Sequence, residues 1–129
     1  MRGGRACQGG GPIESIDWRA FDYYRRLGRA RDFVETHLGE PISLRDVASA
    51  AGLETAYFSH FFHEKTGIFF RDWLAHLRVR RAIALMSTRN FAISRVAMEC
   101  GFADLRTFER VFKKWMGVTP LSFKKAARP

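Results

Sequence analysis

One helical pattern occurs twice in this chain, with the two copies about fifty residues apart. In the copy from Ile93 to Pro120, an apolar run at helical spacing ends at a glycine, and a second amphipathic run follows it. Offset by 49 residues, Leu44, Val47, Ala48 and Gly52 match Ile93, Val96, Ala97 and Gly101; offset by 50 after the turn, Phe58, Phe62 and Gly67 match Phe108, Phe112 and Gly117. The repeat predicts two helix-turn-helix units in tandem within an all-α chain.

The second copy also carries start and stop residues for its helices. Gly101 and Gly117 can take the positive φ that ends a helix. Asp104 is a good N-cap for the helix between these glycines. Thr119 and Pro120 form an N-cap and first-position pair, which predicts a last short helix.

A continuous helix is predicted to join the two units. Its apolar residues recur on one side between Phe69 and Ser87. At a rise of 1.5 Å per residue such a helix is about 27 Å long. That length plus part of the width of the units would place the second helix of one unit roughly one DNA turn, about 34 Å, from the second helix of the other. Helical patterns also cover Ile16–Leu27, with Asp17 as a candidate cap, and Leu27–Leu38, and whether these two are one helix or two is open; the prediction is an all-α domain of about seven helices.

The net charge of +9 and the pI of about 10.4 favour a polyanionic partner, either nucleic acid or an anionic membrane surface. The charge is unevenly distributed, with +4 in residues 1–31, −4 in 32–67, +4 in 68–89 and +5 in 90–129. The first unit is therefore acidic. We expect attraction to phosphates to come mainly from the connecting helix, the second unit and the N-terminal arm.

The two cysteines and the N-terminus predict a reduced, cytoplasmic protein. Cys7 lies in a Gly-rich segment and Cys100 on an apolar helix face, so a disulfide framework is not expected. No apolar run approaches the length of a membrane span, and the N-terminus lacks the apolar segment of a signal peptide. We interpret residues 1–15 as a disordered tail and 16–125 as the folded domain.

Three stretches carry a resemblance to a known family: SLRDVASAAGL…YFSHFFHEKTG, then W-L-x(3)-R-x(3)-A from Trp73 to Ala82, then ISRVAMECGFADLRTFERVFKKWMGVTP. They resemble the DNA-binding domain of the AraC/XylS family of bacterial transcription regulators, over Leu27 to Lys125. The size is similar to that of the stand-alone, MarA-like members. The predicted division is a first unit over 27–68, a linker helix over 69–88 and a second unit over 89–125.

The resemblance implies a transcription regulator, more specifically an activator, that binds asymmetric double-stranded promoter DNA and contacts RNA polymerase. No cofactor is expected. The regulator would bind as a monomer if these 129 residues are the whole protein. Matched residue by residue to the family, the base-contacting positions are Ala56, Tyr57, Ser59 and His60 in the first unit and Leu105, Arg106, Thr107, Glu109 and Arg110 in the second. Glu54 stands where the family has Ser or Asp, and we expect it to be a poorer cap.

Arginine suits guanine, because its fork can donate to O6 and N7 together, and this is the role predicted for Arg106 and Arg110. Glu109 can accept from cytosine N4 or hold a neighbouring basic residue in place. The predicted phosphate contacts are Arg71, Arg80, Arg81, Arg95, Lys113, Lys114 and Lys124. For Arg78, phosphate contact and pairing with Asp72 or the neighbouring units are both open. An ordinary solvated basic face is the alternative for the lysines.

Some features of the sequence are shared with other classes of protein. His60 and His63 have a spacing that can chelate a metal, but no third ligand is placed, and no catalytic motif is visible. We therefore expect no enzyme and no metal. A sequence-neutral nucleic-acid-binding or nucleoid-type protein would use the same charge without needing duplicated recognition helices. A DNA-binding fragment of a larger ligand-sensing regulator is the other alternative.

Overall fold

The repeat seen in the sequence corresponds to a repeat of helices in the structure. A computed structural model describes residues 16–127, and all regular structure in that range is helical. The helices are α1 Ala20–Tyr23, α2 Arg25–Thr36, α3 Leu44–Ala51, α4 Thr55–Thr66, α5 Phe70–Thr88, α6 Ile93–Glu99, α7 Leu105–Met116 and α8 Pro120–Ala127. The all-α fold with two helix-turn-helix units, α3–α4 and α6–α7, joined by α5 is confirmed. The predicted tail over 1–15 lies outside the described residues.

The described residues contain eight helices where about seven were expected, and the difference lies at the N-terminal end. The predicted helix over Ile16–Leu27 is wrong, because the backbone is extended at Tyr24 (φ −98°, ψ 112°), which separates α1 from α2. Asp17 does not cap a long helix. Its side chain accepts from the Arg19 N–H at 3.1 Å, while its own N–H donates to the Thr66 carbonyl at 2.8 Å. This segment is fixed by tertiary contacts.

Local hydrogen bonds begin most of the helices of the two units. Ser43 and Asp46 form the predicted capping box at the start of α3. Asp104 accepts from the Thr107 N–H at 2.7 Å at the start of α7. The expectation of a poor cap at Glu54 is wrong, because its carboxylate accepts from the Tyr57 N–H at 3.0 Å. Helix α6 begins after Ala92 without a side-chain cap, because alanine has no side-chain acceptor.

Equivalent aromatic residues fill the cores of the two units. Phe58 and Phe62 of α4 are fully buried, and the Phe62 ring lies 5.2 Å from that of Trp73 in α5. Phe108 and Phe112 of α7 are also fully buried at the matching positions of the second unit. Because these rings are large, their burial is a major share of the hydrophobic stabilisation of each small unit.

Helix α5 belongs to both cores. Trp73 stacks on Phe21 of α1, with ring centroids 5.1 Å apart. Three residues further on, His76 is buried and lies 5.0 Å from the Trp115 ring of α7.

Cys100, which the sequence placed on an apolar helix face, is a free thiol and is buried in the core. Burial raises the pKa of this thiol to about 11. None of the helices between residues 16 and 127 has the length and apolar character needed to span a bilayer.

The two units also meet directly, at what we call the interunit joint: the loop Leu38–Glu40, the turn Glu99–Gly101 and Arg78 of α5. A β-carbon at Gly39 would lie 2.9 Å from the Glu99 carbonyl oxygen, and one at Gly101 would lie 2.5 Å from the Leu38 carbonyl oxygen. Arg78 donates from Nη2 to the Glu40 carbonyl (2.9 Å) and from Nε to the Leu38 carbonyl (3.3 Å). Burial lowers the pKa of this guanidinium. Arg78 therefore binds the first unit and does not pair with Asp72.

Candidate nucleic-acid interface

The exposed face of α4 carries the residues that the sequence assigned to base contact in the first unit. Ala56, Tyr57 and His60 are exposed, and Ser59 is half-buried. This face exists because Phe58 and Phe62 turn the opposite side of the helix into the core. Its chemistry is aromatic and hydroxylic, with little net charge.

Two neighbouring contacts hold aromatic groups on this face. Tyr57 is 55% exposed, and its ring stacks on Phe61 with centroids 6.0 Å apart and an interplanar angle of 18°. His60 Nε2 lies 4.0 Å from a Glu64 carboxylate oxygen, an exposed i,i+4 pair of small energetic weight. The Tyr57 hydroxyl is thus carried on a ring packed against its neighbour, and a stacked ring gives a well-defined direction to that hydroxyl.

The exposed face of α7 is more polar and more basic. Phe108 and Phe112 are fully buried and Trp115 is 6% exposed, so the helix is anchored along one side. The residues assigned to base contact lie on the other side: Leu105, Arg106, Glu109 and Arg110 are exposed and Thr107 is half-buried. Lys113 and Lys114 extend this exposed face towards the C-terminal end of α7.

Among the residues that the structure describes, the two arginines of α7 have no acceptor. Within residues 16–127, no carboxylate lies within 4.0 Å of the Arg106 or Arg110 guanidinium, and neither side chain makes a hydrogen bond. Glu109 does not hold Arg106 or Lys113 at ion-pair distance in that range. The pKa of the Asp104 carboxyl group is lowered from its usual value. The first cause is the hydrogen bond that it accepts from the Thr107 N–H, and the charges of Arg106 and Arg110 add to it. Asp104 stays ionised as the cap of the helix.

Two of the predicted phosphate contacts have partners within the chain. Lys124 donates from Nζ to the Phe91 carbonyl at 2.6 Å. The Arg95 guanidinium carbon lies 3.8 Å from the Phe91 ring centroid, and its Nε lies 3.8 Å from the Glu99 carboxylate. Lys124 and Arg95 thus both contact Phe91, which lies in the loop between α5 and α6. The other five predicted phosphate contacts, Arg71, Arg80, Arg81, Lys113 and Lys114, are exposed.

A cleft opens beside the interunit joint, with the loop 39–42 on one side and the segment 98–107 on the other. It has a volume of about 610 Å³ and reaches from Arg71 and Leu74 of α5 to Met98 and Thr107 of the second unit. A second cleft of about 340 Å³ shares Arg71 and Leu74 with it and extends to Ser59 of α4. Arg71 lines both clefts and therefore lies between α4 and α7, the two predicted recognition helices. This position makes it a candidate for contact with the DNA backbone between two major grooves.

One residue of this surface was not singled out from the sequence. Met98 is 73% exposed and lines the larger cleft. The exposure of Met98 could have been predicted, because the core spacing of Val96, Ala97 and Cys100 places residue 98 on the outer side of α6.

In the described residues, no group of three or more His, Cys, Asp or Glu side chains is arranged to hold a metal ion.

Known proteins share both the sequence pattern and the fold. Residues 47–126 match a family model described as a helix-turn-helix domain. The arabinose operon regulatory protein of Escherichia coli is 32% identical over 100 residues, which are 77% of this chain and 34% of that protein. The regulatory protein PocR of Salmonella typhimurium is 30% identical over 99 residues, 77% of this chain and 33% of PocR. The chain spans about a third of the length of these curated relatives.

Solved structures show the same arrangement of helices. The DNA-binding domain of the global transcriptional factor AdpA, in complex with a target DNA, has a TM-score of 0.76 and 26% identity, covering 80% of this chain and 93% of that chain. A regulator with an AraC-type DNA-binding domain from Chromobacterium violaceum has the same fold, with a TM-score of 0.76 at 22% identity over 82% of this chain and 95% of that one. The chain belongs to the AraC-type helix-turn-helix family of DNA-binding transcription regulators.

Proposed function

We propose that this chain binds promoter DNA by placing α4 and α7 in two successive major grooves on one side of the duplex. The observation that carries this proposal is the pair Arg106 and Arg110, which have no partner within residues 16–127 and are exposed on a helix whose opposite side is anchored in the core. A free guanidinium on an anchored helix is well suited to bidentate contact with guanine. The separation of about 34 Å between the recognition helices stays a prediction.

Each recognition helix would contribute different chemistry. In the second unit, Arg106 and Arg110 would bind guanine O6 and N7, Glu109 would accept from cytosine N4, and Leu105 and Thr107 would pack against neighbouring base edges. In the first unit, Ala56 offers a methyl group, while Tyr57, Ser59 and His60 offer donors and acceptors without fixed charge. The first unit would then add sequence preference, and the second unit would add both preference and affinity.

Phosphate contacts would come from exposed basic residues around these helices. The strongest candidates are the five exposed residues whose side chains make no ion pair or hydrogen bond within residues 16–127: Arg71, Arg80, Arg81, Lys113 and Lys114. Arg95 and Lys124 are kept as candidates, and each would have to give up or share its contact at Phe91. Because phosphate contacts release counterions, the total affinity should fall steeply with salt.

The regulator's wider role follows from its family. We propose that the chain activates transcription in the bacterial cytoplasm, contacts RNA polymerase and has no catalytic activity. If these 129 residues are the whole protein, it would bind DNA as a monomer, since two units in one chain replace the two subunits of a helix-turn-helix dimer. The curated relatives are about three times as long as the match. This supports the alternative that the chain is the DNA-binding part of a larger ligand-sensing regulator.

Selection of bound duplexes from a random DNA pool, followed by competition, tests the proposal. We expect the selected site to contain two separate recognition elements about one helical turn apart and to be preferred over random duplex by about a thousandfold or more. The Arg106→Ala, Arg110→Ala double variant is expected to lose that preference while keeping most of its weak, general affinity. Random duplex that competes as well as the selected site would instead indicate a sequence-neutral nucleoid-type protein.

A further inference from the structure

The interunit joint is held by an arginine whose partners are backbone carbonyls on the far side of the joint. Arg78 lies on α5, yet it donates to Leu38 and Glu40, which precede α3 of the first unit by several residues. Its guanidinium also lies against the second unit, because a β-carbon at Gly101 would be 2.9 Å from Arg78 Nε. One side chain thus contacts the connecting helix, the first unit and the second unit.

The surrounding backbone has no room to move inward. Gly39 faces the Glu99 carbonyl, and Gly101, at φ +89°, faces the Leu38 carbonyl, each too closely for a β-carbon to fit without displacement. A planar guanidinium with two separated acceptors has a fixed direction, because its donors are rigidly arranged. Close backbone approach and a two-point hydrogen bond together define the angle between the units at this point.

We propose that Arg78 is a positioning residue that holds the interunit joint closed and thereby sets the spacing and rotational phase of α4 and α7 on DNA. This inference rests on the proposed function, in which one chain contacts two grooves. Arg78 would determine which separation of the two DNA half-sites the protein accepts, without touching DNA itself.

The physical basis is effective concentration. When the first unit is docked, a rigid joint presents the second unit at its groove, and the gain in affinity is lost if the geometry does not match. One added base pair moves a half-site by roughly 3.4 Å along the axis and by roughly 35° around it. A closed joint therefore gives a sharp spacing optimum, whereas a loosened joint gives a broad and lower one.

A direct phosphate contact from Arg78 is the competing explanation. Arg78 is half-buried, and its Nε and Nη2 donors are occupied by the two carbonyls, whereas Arg71, Arg80 and Arg81 on the same helix are exposed. The two explanations differ in what happens on a single half-site. A phosphate contact would contribute there, and a positioning contact would not.

The test compares the full chain with its Arg78→Met variant, which keeps the aliphatic length and removes the donors. Duplexes carry the selected site with one or two base pairs inserted or removed between its halves, and one duplex carries only the half bound by α7. We expect Arg78→Met to lose about tenfold in affinity at the native spacing, to keep its affinity for the single half, and to lose most of the discrimination between spacings.

Arg25→Met is the matched control. Arg25 is an exposed arginine of α2, so the variant makes the same change of charge away from the joint. We expect it to retain the wild-type spacing profile. An equal loss for Arg78→Met on the single half and on every spacing would overturn the proposal in favour of a phosphate contact, and an unchanged spacing profile would overturn it outright.

A second variant covers the case in which Arg78→Met does not fold. Gly39→Ala leaves Arg78 in place but forces the loop away from the Glu99 carbonyl, so it should also broaden or shift the spacing optimum. Residual dipolar couplings of the free protein give a readout without DNA: we expect one alignment tensor for both units in the wild type and two in either variant. A single tensor in both variants would contradict the proposal. Failure to select a two-part site would instead contradict the proposed function.

Discussion

Gly52 and Gly101 occupy equivalent places in the two copies of the repeat, yet their surroundings differ. Both have positive φ, at 76° and 89° respectively. A β-carbon at Gly52 would meet the end of the flexible Arg26 side chain at 3.1 Å, whereas one at Gly101 would meet the Leu38 backbone oxygen at 2.5 Å. The sequence predicts the backbone conformation at both glycines. It does not predict the close approach of the Leu38 carbonyl oxygen to Gly101, because Leu38 belongs to the other unit.

This difference gives a prediction for alanine at each glycine. Gly52→Ala should cost about 1–2 kcal/mol of unfolding free energy, because a left-handed conformation is unfavourable for a residue with a β-carbon. Gly101→Ala should cost about 1–3 kcal/mol more, since backbone must also move. Urea unfolding of the two variants measures the difference, and equal losses would mean that the joint yields without strain.

Arg110 provides the residue-scale test of base contact. Arg110→Ala is expected to weaken binding to the selected site by about 1–3 kcal/mol and to relax the preference at one base pair, because its bidentate donors are lost. Binding to a panel of single-base variants of the site measures this. Lys113→Ala is a suitable comparison, because loss of a phosphate contact should weaken all sequences alike. The same uniform loss for Arg110→Ala would reassign Arg110 to the backbone.

At the scale of elements, prediction succeeded where the determining residues are close in sequence. The caps at Ser43 and Asp104 lie within four residues of the groups they bind, and periodicity alone places Phe108 and Phe112 inside. Prediction failed at α1, where the hydrogen bond from Asp17 reaches Thr66 and a helical pattern is interrupted. The contact of Lys124 with the Phe91 carbonyl, 33 residues away, was likewise beyond local rules. The candidate site was placed as two exposed faces, and their chemistry follows from residue type.

The two recognition helices should differ in their share of the affinity. Because α7 carries exposed arginines and lysines while the segment around α4 is acidic, Arg106→Ala should weaken total affinity more than Ser59→Ala or His60→Ala. Its salt dependence should also fall, by up to about one in the slope of log K against log salt, if Arg106 contacts phosphate as well as base. Titrations at several salt concentrations check both points. Equal losses from the two helices would contradict the assignment.

For the molecule as a whole, His76 connects acidity to stability. It is 6% exposed and lies between Trp18 (5.9 Å) and Trp115 (5.0 Å), so it joins the N-terminal segment to the second unit through α5. Burial, and then the charge of Arg80, lowers the pKa of its ring to about 4 from 6.5. No protein group between residues 16 and 127 makes a hydrogen bond with its Nε2.

The sign of the effect follows from proton binding. Well above pH 6.5 His76 is neutral in both folded and unfolded chains; as the pH falls through 6.5 towards 4, the unfolded chain takes up a proton that the folded chain does not. The free energy of unfolding should therefore fall across this window, by up to about 3 kcal/mol. Denaturant unfolding of the wild type and of His76→Phe measures it, and the variant should lose less stability over the same range. Parallel curves for the two proteins would exclude His76 as the cause.

The acceptors of Arg78 are amide carbonyls, and this choice has a consequence for how the protein leaves its operator. Carbonyl groups neither titrate nor attract counterions strongly, so added electrolyte that strips phosphates from lysine and arginine leaves these two hydrogen bonds almost unaffected. Ionic strength then tunes occupancy without changing the shape of the reader. We therefore expect both helices to leave the DNA together, as one rigid body.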